Sequence, residues 1–112
     1  MARVMPISKI HDQAPQGKIV LLDEIGEVLA GHRERGEVVV QCHGVFDLVH
    51  PGHIRHLNAA AREGDVLVVS ITADRFVNKG PGRPVFNSRL RAETLAALEC
   101  VDFVTVNDAQ TA

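Results

Sequence analysis

Cysteine is scarce in this 112-residue chain: Cys42 and Cys100 are its only two, and they lie far apart. Small secreted domains are stapled by dense, regularly spaced cysteines, so this scarcity argues against a disulfide scaffold and for reduced thiols in the cytoplasm. No apolar run approaches the roughly 20 residues of a membrane-spanning helix. Residues 1–16 mix Arg3, Lys9 and Asp12 with Pro6 and Pro15, and so lack the apolar core of a secretory signal. A large excess of one charge is also missing. The formal net charge of -2 gives no general reason to expect nucleic acid or an anionic membrane as a partner. Neither internal repeats nor low-complexity tracts occur.

What remains is the composition of one soluble domain, 46% hydrophobic and 23% charged. Its charge is unevenly spread. Residues 75–91 contain Arg75, Lys79, Arg83, Arg89 and Arg91 but none of the fourteen acidic residues, which makes a cationic patch on an acidic body. Residues 1–16 show no sustained periodicity and read as an N-terminal arm, with the domain proper over residues 17–112.

Within that domain, Leu21, Leu22, Ile25, Val28 and Leu29 recur at helical spacing. Asp23 and Glu24 suit the first turn of this helix, and Arg33 and Arg35 suit the last turn before Gly36. Residues 38–42 form a β-branched run without polar alternation, the pattern of a strand covered on both faces. Pro51 then suits a first helical turn, and Ile54, Leu57, Ala60 and Ala61 make an apolar stripe that ends at Gly64. A second strand is predicted over residues 66–71, followed by one helical turn and a Gly/Pro-rich loop to Pro84. Ser88 can cap a third helix carrying Leu90, Leu95 and Leu98, and residues 101–106 read as a third strand. Strands alternating with helices predict a Rossmann-like α/β fold, a parallel sheet with flanking helices. Three strands make a small sheet, and the turn signal Asn107-Asp108 closely follows the third. The expectation is a domain truncated at its C-terminus, or a sheet edge covered by another subunit.

The first strand runs into Gly44, Val45, Phe46, Asp47, Leu48, Val49, His50, Pro51, Gly52 and His53. Two histidines therefore fall at a helix start, beyond the carboxyl end of a parallel strand, where ligands of such sheets bind and unpaired amides favour an anion. His50 and His53, three residues apart, can project to one side and donate to phosphoryl oxygens. Gly52 between them would let a phosphate approach the backbone. Preorganised donors of this kind stabilise the charge that in-line attack spreads over nonbridging oxygens.

Gly-Val-Phe-Asp-Leu-Val-His-Pro-Gly-His resembles the HxGH signature of the cytidylyltransferase-like nucleotidyltransferases. Lys18-Ile19-Val20, Lys79-Gly80, Arg83-Pro84-Val85, and Arg91 before Leu95 and Val101-Asp102 extend the similarity to the adenylyltransferase domain of heptose-phosphate enzymes. The resemblance implies transfer of a nucleotidyl group from ATP or CTP, with Mg2+, to a small phosphorylated sugar or polyol. It implies His50, His53 and Lys79 as catalytic residues. It also implies nucleotide contacts at Gly44, Val45, Phe46, Asp47, Gly52 and Arg91, with no metal-ligating side chains. A homodimer and a sugar kinase, separate or fused downstream, are the partners it suggests. The chain departs from the heptose enzymes at His43-Gly44-Val45, where they typically carry Asn-Gly-Cys, and their later Ser/Thr-rich motif is absent.

Other readings compete. Cys42, His43, His50, His53 and His56 suggest a zinc site, although a convincing fourth ligand is missing. A nucleotide-binding or oligomerisation module would keep the phosphate loop without a complete catalytic site. Phe46 reads as core, Asp47 as an ordinary turn residue, and Lys79, Arg83 and Arg89 as a solvated loop face, with no role given to Arg75.

Overall fold

A computed structural model describes residues 16–77 and 80–108, so almost all of the predicted N-terminal arm and Lys79 lie outside the described residues. Helix α1 (Leu22–Glu34) carries Asp23 and Glu24 in its first turn, His32 and Arg33 in its last, and buries Ile25 and Leu29. It ends where Gly36 takes a positive φ of 80°, a conformation that glycine adopts without the penalty of a Cβ. Strand β1 (Val39–Gly44), helix α2 (Pro51–Ala61), strand β2 (Val66–Thr72), helix α3 (Ser88–Ala96) and strand β3 (Phe103–Asn107) follow in chain order. Short 3-10 turns occupy Gln16–Lys18 and Asp74–Phe76.

The three strands pair in parallel in the order β1-β2-β3. Ile19 bridges to Val104 in parallel, and the Val20 N–H donates to the Val104 carbonyl at 2.9 Å, so the segment leading into α1 lines part of β3. Strand β2 is central and apolar on both sides, as its run of Val, Leu and Ile requires. Its Leu67, Val69 and Ile71 pack with Leu57 of α2, Ala92, Leu95 and Ala96 of α3, and Phe46. Val66 and Val68 point to the other face, where Ile25 and Leu29 of α1 cover them with Val39 and Phe103 alongside. The sheet is therefore sandwiched, with α2 and α3 on one face and α1 on the other, in agreement with the Rossmann-like expectation.

Two details differ from the sequence reading. Asn87, not Ser88, caps α3, its side chain accepting from the Leu90 N–H at 2.9 Å. Strand β3 begins at Phe103 rather than at residue 101: Val101 is fully buried ahead of it, and the Asp102 carboxylate accepts from the Leu67 N–H at 2.7 Å. Strand β1 is an edge strand, with Gln41 and His43 exposed. Among the described residues no helix is long and apolar enough to cross a membrane.

Candidate phosphate-binding site

Chain direction sets the site: β1 delivers residues 44–53 to the end of the sheet, and α2 begins there. Phe46 turns the chain with a positive φ of 51°, a strained conformation for a residue with a side chain. Its ring is in turn buried in the core. A Cβ at Gly44 would lie 2.8 Å from the Phe46 Cε2, so the glycine makes room for that ring. The ring then meets His53 edge-on at 5.6 Å between centroids.

The two histidines cap α2 reciprocally. His50, the N-cap, accepts from the Gly52 N–H through Nδ1 at 3.0 Å, while His53 accepts from the His50 N–H through its own Nδ1 at 3.2 Å. A ring nitrogen that accepts carries no proton, so in their neutral forms both imidazoles hold their hydrogen on Nε2. The rings lie 4.0 Å apart between centroids, which sets two imidazoles together at the positive end of an eleven-residue helix. Gly52 also has a role that the sequence did not suggest. A Cβ there would meet His50 Cε1 at 2.8 Å, so the glycine accommodates the histidine ring itself.

A hollow of about 400 Å³ opens over these groups, lined by Phe46, Asp47, Leu48, His50, His53 and Arg83. Asp47 fixes its far wall, because its carboxylate accepts from the Val85 N–H at 2.8 Å, the Phe86 N–H at 2.9 Å and Arg83 Nη1 at 3.1 Å. Desolvation pushes the Asp47 carboxyl upward. The Phe86 and Val85 amides and the Arg83 guanidinium together outweigh it and hold the group below the usual aspartate value. Asp47 is thus a clamp between segments 36 to 39 residues apart, rather than the turn residue its local sequence suggests. Arg83 enters the site through that clamp, a placement that the sequence reading did not anticipate.

Arg91, implied by the resemblance as a triphosphate contact, lies inside the fold. It is 1% exposed, and its guanidinium donates to the carbonyls of Phe86 at 3.0 Å, Val45 at 2.9 Å and Thr72 at 2.7 Å and to the Asp74 carboxylate at 2.6 Å. It ties the loop after β1, the end of β2 and the segment before α3 into one piece. Val45, expected at the nucleotide, meets Arg91 through its carbonyl.

The rest of the cationic stretch disperses. Arg75 donates to the Asp108 carbonyl at 2.6 Å and lies 4.7 Å over the Phe76 ring, and Arg89 pairs with Glu93 at 3.2 Å. The zinc reading gains no geometry, since among the described residues no group of three or more His, Cys, Asp and Glu could hold a metal ion. Cys42 and Cys100 are unpaired thiols.

Comparison with known proteins agrees with this geometry. The bifunctional protein HldE of Syntrophotalea carbinolica is 44% identical over 103 residues, 90% of this chain and 21% of that protein. Its counterpart in Gluconobacter oxydans is 41% identical over 104 residues, 91% of this chain and 22% of that protein. The chain thus spans about a fifth of the length of these relatives. The crystal structure of the lipopolysaccharide core biosynthesis protein from Thermoplasma volcanium GSS1 superposes with a TM-score of 0.63 at 30% identity, covering 68% of this chain and 62% of that one. Residues 41–112, from within β1 onward and including the whole of residues 44–53, match the cytidylyltransferase-like family, to which this chain belongs.

Proposed function

We propose that this chain forms the nucleotide-binding part of a nucleotidyltransferase, which moves the nucleotidyl group of ATP or CTP to the phosphate of a sugar or polyol and releases pyrophosphate. The reciprocal capping of α2 by His50 and His53 carries this reading, since it sets two imidazoles and a helix N-terminus against one hollow. In the transfer, an acceptor phosphate oxygen forms a bond to the α-phosphorus as the bond to the pyrophosphate oxygen breaks. The protein supplies donors for the growing charge and no nucleophile. Arg83, 36% exposed along its side chain and held by Asp47, adds a cation at the rim. Lys79 stands four residues before Arg83 in sequence, and we assign it a phosphate contact by family resemblance.

The described residues offer no cage for a metal, and both Asp47 oxygens already accept hydrogen bonds. Mg2+ therefore fits here as part of the nucleotide substrate, held by phosphate oxygens and water, where it neutralises the triphosphate. The description of the Thermoplasma relative as a lipopolysaccharide core biosynthesis protein supports a carbohydrate acceptor. An acceptor phosphate must first be installed by phosphoryl transfer, which makes a sugar kinase the natural partner activity.

The test is pyrophosphate release by the full natural polypeptide, with ATP or CTP, Mg2+ and a panel of sugar and polyol phosphates. We expect release with one nucleotide, and a loss of at least about a hundredfold in His53→Ala. Near-normal turnover in that variant would overturn the assigned role. Nucleotide binding without any pyrophosphate release would favour a binding module instead.

A further inference from the structure

On the face of the sheet covered by α2 and α3, apolar side chains continue to the ends of the strands through Cys42, Ile71 and Val106. The α1 face changes character halfway. Its apolar contacts with Ile25 and Leu29 involve Val39, Val66, Val68 and Phe103. In the next register row the partners are His43, Ser70 and Thr105, and beyond them Thr72 pairs with Asn107. Strands β2 and β3 thus turn polar at the same row, and β1 one row earlier at Gln41, toward the carboxyl ends where ligands of parallel sheets bind. Packing alone does not ask for this, because valine would fill the Thr105 site equally well. Thr105 is 3% exposed, and its hydroxyl has no hydrogen-bond partner among the described residues.

His43 is exposed at the open end of this row. Its Nδ1 lies 2.7 Å from Ser70 Oγ and its Nε2 lies 3.4 Å from Thr72 Oγ1. The second contact is long for a hydrogen bond, so Nε2 can take a shorter one from an incoming group. If Ser70 donates to Nδ1, then Nε2 carries the proton and the Thr72 hydroxyl turns outward as a donor; the other tautomer reverses both roles. In either state the trio offers both donor and acceptor capacity without a fixed charge. That matches an alcohol better than a phosphate. His43 also directly precedes Gly44, so the trio is joined to the phosphate loop by one peptide bond.

We propose that His43, Ser70 and Thr72 form a hydroxyl-recognising subsite that reads the polyol part of a substrate whose phosphates lie at His50 and His53, an inference that rests on the proposed nucleotidyl transfer. Such hydroxyls could come from the acceptor sugar or from the ribose of the nucleotide, and the experiment separates the two. His43→Leu and the near-isosteric Thr72→Val are made in the full natural polypeptide. Michaelis constants are then measured for ATP, CTP, mannose 1-phosphate and heptose 1-phosphate.

A KM for the sugar phosphate raised about tenfold in both variants, with kcat and the nucleotide KM little changed, identifies the acceptor as the source. A nucleotide KM raised to the same degree, and insensitive to the variants when 2',3'-dideoxy-ATP is used, identifies the ribose. If both constants stay within twofold of the unmodified protein, or if only the melting temperature falls, the row is structural and the proposal is overturned. The His43 Cε1–H resonance of the unmodified protein, titrated with the same probes, gives a readout independent of turnover. A shift without pyrophosphate release would keep the subsite and refute the transfer reaction, while no shift and no release would refute both.

Discussion

A methyl group added at Gly52 would sit 2.8 Å from His50 Cε1 and 3.0 Å from Nδ1, so Gly52→Ala forces the ring out of its cap. Alanine is otherwise welcome in a first helical turn. The expected result is nucleotide binding weakened about tenfold or more, as when a charge-assisted hydrogen bond is lost, with a melting temperature changed by little. Calorimetric titration and a thermal scan of the same sample separate the two. Asp47 makes a second prediction at this scale. Its folded pKa is depressed, so the stabilisation it gives the clamp on Arg83, Val85 and Phe86 is fully present above the unfolded value of about 4. That stabilisation is lost as pH falls through the folded value. In unmodified protein, amide exchange at Val85 and Phe86 should accelerate relative to the core strands in that acidic window. Asp47→Asn should show the weakened clamp already at neutral pH, and equal protection in both proteins at pH 7 would remove the clamp from the account.

Between elements, Arg91 does what no single loop can do alone: four bonds from one buried guanidinium join three backbone carbonyls and Asp74. Arg91→Met keeps the bulk of the stem but leaves the carbonyls of Val45, Thr72 and Phe86 without that donor, so a loss of about 2–4 kcal/mol is expected. Arg91→Lys should recover little of it, because an ammonium cannot reproduce the planar fork. Chemical denaturation of the three proteins checks the order, and a lysine variant as stable as the original would show that charge alone suffices. This hub also marks what could be read in advance. The strands and helices were legible from β-branched runs and apolar stripes, and the His50–His53 pair from local spacing at a helix start. The Asp47–Arg83 clamp was not, since its partners are 36 residues apart and nothing local distinguishes Arg83 from Arg75 or Arg89. The burial of Arg91 was not legible either, because it depends on carbonyls that only the folded loops bring together.

At the scale of the molecule, the loop that carries His50 and His53 hangs from β1. Among the described residues β1 pairs with β2 alone, and the hollow over His50 and His53 is closed on one side by a loop whose main anchors are Asp47 and Arg91. A domain of this size holds only a small margin of stability, so a bound nucleotide should register in its unfolding. At a hundred times its dissociation constant a ligand adds about 2.7 kcal/mol, which in a domain of roughly 100 residues raises the melting temperature by on the order of 10 °C. We therefore expect Mg2+ with ATP or CTP to raise the melting temperature of this chain in a saturable way, and His50→Ala to abolish the rise while lowering the ligand-free value by only about 5 °C, the effect of a lost cap. The ligand-free value is the control that matters, because His50 is exposed and its loss removes a cap rather than core packing. A rise of equal size in the variant would place the nucleotide elsewhere on the molecule. No rise with either nucleotide at millimolar concentration would mean that the residues lining this hollow do not hold a triphosphate by themselves.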